Sequence, residues 1–77
     1  MNREICIIER IHDGFYYLKS IKGMRYKVNG LKMKEYEKGQ HIIISYENSA
    51  ELSDGVYYLE PQKVTRYYET VFEKMVK

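Results

Sequence analysis

Asp13-Gly14-Phe15-Tyr16-Tyr17-Leu18-Lys19-Ser20-Ile21-Lys22-Gly23-Met24-Arg25-Tyr26-Lys27-Val28-Asn29-Gly30 carries the pattern on which the fold turns. The Asp-Gly pair at its start and the Asn-Gly pair at its end supply the positive backbone angles of tight turns. Residues 15–20 alternate Phe15, Tyr17 and Lys19 with Tyr16, Leu18 and Ser20; residues 24–29 separate Met24, Tyr26 and Val28 from Arg25, Lys27 and Asn29. A period of two marks strands with one face in a core and the other toward water. The stretch therefore predicts two adjacent strands. Tyr16, Leu18, Met24, Tyr26 and Val28 face inward in this reading, and Phe15, Tyr17, Lys19, Arg25 and Lys27 share the outer face.

Working outward, the pairs Lys38-Gly39 and Asp54-Gly55 divide the rest of the chain into similar short pieces. Residues 3–11 place Ile5, Ile7 and Ile11 on one face and Cys6 and Ile8 on the other. A run apolar on both faces reads as a central strand. Residues 40–47 alternate with Ile42, Ile44 and Tyr46 inward, and 56–60 form a fifth run, Val-Tyr-Tyr-Leu-Glu. Leu31 to Lys38 is rich in helix formers and predicts a helical turn. The polar stretch 47–55 reads as an acidic loop.

Toward the C-terminus, Val64, Tyr67, Tyr68, Val71, Phe72, Met75 and Val76 recur at helical spacing, with polar residues at every position between them. That spacing predicts an amphipathic helix over about 62–76, with Pro61 at its first position, where a missing N–H costs nothing. A second pattern competes with it. DGFYYLKSIKGMRY at 13–26 aligns without gaps on DGVYYLEPQKVTRY at 54–67, with eight of fourteen positions identical. If that similarity is structural, residues 63–68 mimic the strand at 24–29 and any helix begins later. The helical period covers more residues and is preferred.

The resulting order, three strands, a short helix, two strands and a terminal helix, makes one mainly β domain spanning 1–77, a small barrel. In layout it resembles the five-stranded OB barrel, which carries its helix between strands three and four. An SH3-like barrel is the alternative; it calls for a helical turn before the last strand, where this chain offers the loop at 47–55.

A 77-residue chain holds one domain with a thin core. Its lone cysteine, Cys6, sits in an apolar run, cannot form an internal disulfide, and reads as a small core residue in a reducing compartment. No apolar stretch approaches a membrane span and the N-terminal residues lack a signal-peptide profile, so the expected location is cytoplasmic, without a membrane partner. Nine tyrosines against two phenylalanines and no tryptophan suit strands half in contact with solvent. The net charge of +2 is segregated: residues 19–38 hold seven cations and two acids, whereas 39–60 hold four acids and no Lys or Arg.

Catalytic signals are sparse. His12 and His41 lie at the ends of different predicted strands, and Asp13 beside His12 is accounted for by its turn. One cysteine and two distant histidines lack metal-ligand spacing, and phosphate-binding glycine loops are absent, so no catalytic residue, metal or cofactor is assigned. The remaining feature is the outer face of the hairpin. Rings at Phe15 and Tyr17 with cations at Lys19, Arg25 and Lys27 are the elements that stack bases and hold phosphates, so single-stranded nucleic acid is the first expected partner. The plainer reading is that Tyr and Lys simply occupy the solvent face of ordinary strands. A competing expectation is a protein-interaction or small regulatory module, a homodimer included, that docks through Tyr68, Val71, Phe72 and Met75 of the terminal helix.

Overall fold

The computed structural model describes residues 1–33 and 36–67. Five strands form: β1 (Asn2–His12), β2 (Phe15–Ser20), β3 (Arg25–Asn29), β4 (His41–Glu51) and β5 (Val56–Arg66). They close into a barrel in the order β1-β2-β3-β5-β4, with β4 returning to β1. Every neighbouring pair is antiparallel except β3 and β5, which run parallel. A 3₁₀ turn, Gly30–Lys32, follows β3 directly, capped by the Asn29 side chain accepting from the Leu31 N–H at 2.9 Å.

The alternation seen in the sequence becomes the inside of the barrel. Cys6, Ile8, Tyr16, Leu18, Tyr26, Val28, Ile42, Ile44, Tyr46 and Leu59 are buried, and Met33 joins them from the segment after the 3₁₀ turn. Several tyrosines owe their positions to a polar tip on an apolar body. The Tyr16 hydroxyl donates to the Tyr36 carbonyl at 2.8 Å, and the Tyr36 hydroxyl donates to the Val64 carbonyl at 3.0 Å. These two bonds tie β2, the segment after β3 and β5 together. Ser20, also buried, accepts at Oγ from the N–H groups of Lys22 and Met24 and so fastens the turn between β2 and β3.

Gly30 marks the tightest backbone approach. Its N–H donates to the Gly14 carbonyl at 2.7 Å, and a Cβ built at position 30 would stand 2.5 Å from that same oxygen. Neither atom belongs to a flexible side chain, so the two turns must separate to admit a methyl group. Gly30→Ala is expected to lower stability by about 1–3 kcal/mol, read as a shifted urea midpoint with unchanged slope.

Four expectations are corrected by the structure. The helix at 62–76 does not begin at 62: Lys63, Val64, Thr65 and Arg66 are strand residues paired with Ser45, Ile44, Ile43 and Ile42. Closure of the barrel explains this. β4 is bonded to β1 along one edge, and without residues 63–66 the backbone of Ile42–Ser45 would lack partners along the other. Pro61 stands within the strand rather than at a helix start. It lies at an irregularity, where Ser45 pairs with Lys63 but Tyr46 pairs with Pro61, and a bulge tolerates a residue without an N–H. Residues 68–77, the remainder of the expected helix, lie outside the described residues.

Second, the expected loop at 47–55 is strand up to Glu51, with Ser49, Ala50 and Glu51 paired to Leu59, Tyr58 and Tyr57. Its exposed polar side chains show no alternation of hydropathy, yet backbone pairing does not require one. Third, Ile11 does not share a face with Ile5 and Ile7. Glu9 is an extra residue between the pairs Ile8 with Leu18 and Arg10 with Tyr17, and this bulge reverses the facing of everything after it. Fourth, Met24 is 38 % exposed, because it belongs to the turn that Ser20 fastens rather than to β3.

The internal similarity is present in the backbone. Asp13 and Gly14 have φ of 50° and 79°, and Asp54 and Gly55 have φ of 61° and 73°. Both pairs turn the chain through the left-handed region into a strand beginning Phe15-Tyr-Tyr-Leu or Val56-Tyr-Tyr-Leu. Leu18 and Leu59, equivalent in the alignment, are both buried.

Candidate functional site

The outer face of β2 and β3 is as the alternation predicts. Phe15, Tyr17 and Lys27 are half-buried there, while Lys19 and Arg25 are exposed. Register brings them together in rows: Tyr17 is opposite Lys27, and Lys19 is opposite Arg25. Residues directly opposite on antiparallel strands share a face with close Cβ atoms. The Lys27 Nζ stands 4.3 Å from the centre of the Phe15 ring and 5.7 Å from that of Tyr17. All five residues selected from the sequence therefore lie on one surface.

Two residues that the sequence reading passed over join them. Arg10 pairs with Tyr17 across β1 and β2, with its guanidinium carbon 4.3 Å from the centre of the Tyr17 ring. Counting by twos from Cys6 and Ile8 puts Arg10 inside, and only the extra residue at Glu9 turns it outward. Tyr58, on β5, pairs with Lys27 from the other side. The signal for Tyr58 was available: in the gapless alignment it is the equivalent of Tyr17.

Charge on this face is unbalanced. Like charges directly opposite one another, as at Lys19 and Arg25, repel and destabilise a sheet unless something answers them. Among the described residues no carboxylate lies within 4.0 Å of Arg10, Lys19, Arg25 or Lys27; the one such contact is His12 Nε2 to Asp13 Oδ2, at 3.1 Å in the β1–β2 turn. Two of the cations, Arg10 and Lys27, rest instead on ring faces. Cation–π contacts at exposed sites contribute about 0.5–1 kcal/mol, less than the roughly 1–3 kcal/mol of a base stacked on an aromatic side chain. An arriving base can thus displace them.

A depression of about 400 Å³ adjoins these rows, lined by Arg10, Tyr17, Leu18, Arg25, Tyr26 and Val56 together with one carboxylate, that of Glu9. That volume is in the range of small-ligand sites. Another depression, about 310 Å³, is lined by Arg3, Ile43, Ser45, Lys63 and Thr65. It offers two cations but no ring, and cations alone give only charge attraction. A third, about 280 Å³, lies between Leu31, Lys32 and Tyr36 and residues 61–64 of β5.

The expected partner-interface residues Tyr68, Val71, Phe72 and Met75 lie outside the described residues. Among the described residues no group of three or more His, Cys, Asp and Glu side chains is placed to hold a metal ion, and no helix is long and apolar enough to cross a membrane.

Cys6 is fully buried and unpaired. Burial, with the nearby Glu4 carboxylate adding to it, pushes its thiol from 9.0 up to about 12. Burial likewise raises the Tyr26 hydroxyl well above its ordinary value. Both groups are neutral when folded and ionise more readily when unfolded. Their contribution to stability is therefore complete below about pH 9 and lost as pH climbs toward 12. Urea midpoints are expected to hold level from pH 7 to 8.5 and then fall, and iodoacetamide is expected to label Cys6 only as the chain unfolds.

The chain matches no protein-family model, no curated protein and no solved structure.

Proposed function

We propose that this protein is a non-catalytic, OB-like binding module that holds single-stranded nucleic acid on the outer face of β2 and β3. The strand order β1-β2-β3-β5-β4 and the parallel β3–β5 pair support the OB-like reading; 3₁₀ turns stand both between β3 and β4, at Gly30–Lys32, and before β5, at Ser53–Gly55. In such barrels the strand 2–3 face is a recurrent site for oligonucleotides. The observation that carries the functional reading is the interleaving of rings and unanswered cations: Lys27 over Phe15, Arg10 over Tyr17, and Lys19 opposite Arg25. Rings supply stacking that tolerates any base, and cations supply phosphate attraction. The buried free thiol suits a reducing compartment such as the cytoplasm.

Anisotropy of a labelled oligothymidylate and a labelled oligouridylate at two salt concentrations tests this reading. Engagement of two to four phosphates gives a slope of about −1.4 to −2.8 in log affinity against log salt. Absence of binding to either strand at low salt would overturn the proposal.

A further inference from the structure

We infer, building on the nucleic-acid reading above, that the site is a two-base clamp: Tyr17 and Tyr58 each stack one base of an unstacked dinucleotide step, and Lys27 between them holds the connecting phosphate. The register makes the arrangement. Arg10, Tyr17, Lys27, Tyr58 and Ala50 form one row across β1, β2, β3, β5 and β4, each paired with the next. Leu18, Val28 and Leu59, the chain neighbours of this row, are buried, so the row itself faces out.

The two rings come from the two similar segments. Each follows an Asp-Gly turn with both φ angles positive, and each lies in a strand beside β3. β2 runs antiparallel to β3 and β5 runs parallel to it, so the equivalent tyrosines meet the same lysine from opposite sides. The similarity thus has a consequence beyond the fold, a pair of tyrosines at the register positions on either side of a single lysine.

Spacing selects the ligand. Tyr17 and Tyr58 are two strand separations apart, roughly 10 Å at about 4.8 Å each. Bases in a duplex rise about 3.4 Å per step along each strand. Adjacent bases cannot reach both rings while stacked on one another, so the clamp takes an opened single strand and refuses a duplex. Ala50 beside Tyr58 presents only a methyl group, whereas Tyr17 carries the Arg10 guanidinium. Arg10 is then in place for the next phosphate. Glu60, two residues further along β5, accepts from the Tyr58 hydroxyl at 3.5 Å.

The test uses the full chain, labelled dT8 as probe, and thymidine monophosphate and dTpdT as competitors. Tyr17→Ala and Tyr58→Ala are expected to weaken dT8 binding by similar factors of roughly 5- to 150-fold, with Tyr58→Phe retaining it. The dinucleotide should compete far better than the mononucleotide. Circular dichroism of each variant separates lost binding from lost folding. A wild-type protein that binds dT8 but loses nothing on Tyr58→Ala in a folded variant overturns the clamp and leaves the hairpin-face reading intact. Equal affinity for an eight-base-pair duplex also overturns it. Failure of the wild-type protein to bind dT8 removes both.

Discussion

Replacing Phe15 and Tyr17 together by alanine is expected to weaken single-strand binding by about 2–6 kcal/mol, from two rings at roughly 1–3 kcal/mol each. Lys19, Arg25 and Lys27 remain in this variant, so low-salt charge attraction should survive while the affinity that persists at moderate salt is lost. That division identifies the mechanism. Phosphate attraction depends on salt and stacking largely does not, so the wild-type and variant titrations should differ most at the higher salt concentration. Neither ring is part of the core, and the variant should keep most of its folding stability. Binding that is unaltered at moderate salt would show that the rings take no part, and would return the face to ordinary solvent-exposed strand.

Leu59→Ala is expected to cost about 2–5 kcal/mol of folding stability. Leu59 has no exposed surface, and it lies where β5 is bonded to both neighbours, opposite Val28 on β3 and Ser49 on β4. Truncation removes apolar contact and leaves a cavity in a core drawn from only a thin layer of side chains. A domain of this size has a small margin of stability to begin with. Urea denaturation should place the variant near or past its midpoint at ambient temperature, whereas exposed-side substitutions such as Lys19→Ala should move the midpoint little.

The inward alternation of Tyr16, Leu18, Tyr26 and Val28, and of Ile42, Ile44 and Tyr46, was legible because large apolar side chains recur there at period two between tight turns. Turns were legible at Asp13-Gly14 and Asp54-Gly55 because few other residues accept positive φ. What escaped was set by backbone pairing. Residues 47–51 and 62–66 are strand because barrel closure requires bonded neighbours; no alternation announces it in 47–51, and only the internal similarity pointed to strand at 63–66. Val64 fits a helical period as readily as it fits a strand whose register shifts at Pro61. Arg10 escaped because a one-residue bulge changes which way a side chain points without changing composition. Tyr58 was within reach through the repeated Asp-Gly-x-Tyr-Tyr-Leu segment, in which it is the equivalent of Tyr17, but its strand lies far from β2 in sequence and only barrel closure brings it beside β3.

The surface that meets nucleic acid is resolved most directly by amide chemical-shift mapping of the isotope-labelled protein during titration with oligothymidylate. The account predicts saturable shifts at Arg10, Phe15, Tyr17, Lys27 and Tyr58, with Arg3, Ile43, Lys63 and Thr65 unmoved. Shifts centred on Arg3 and Lys63, or spread evenly over every exposed lysine and arginine, would contradict it.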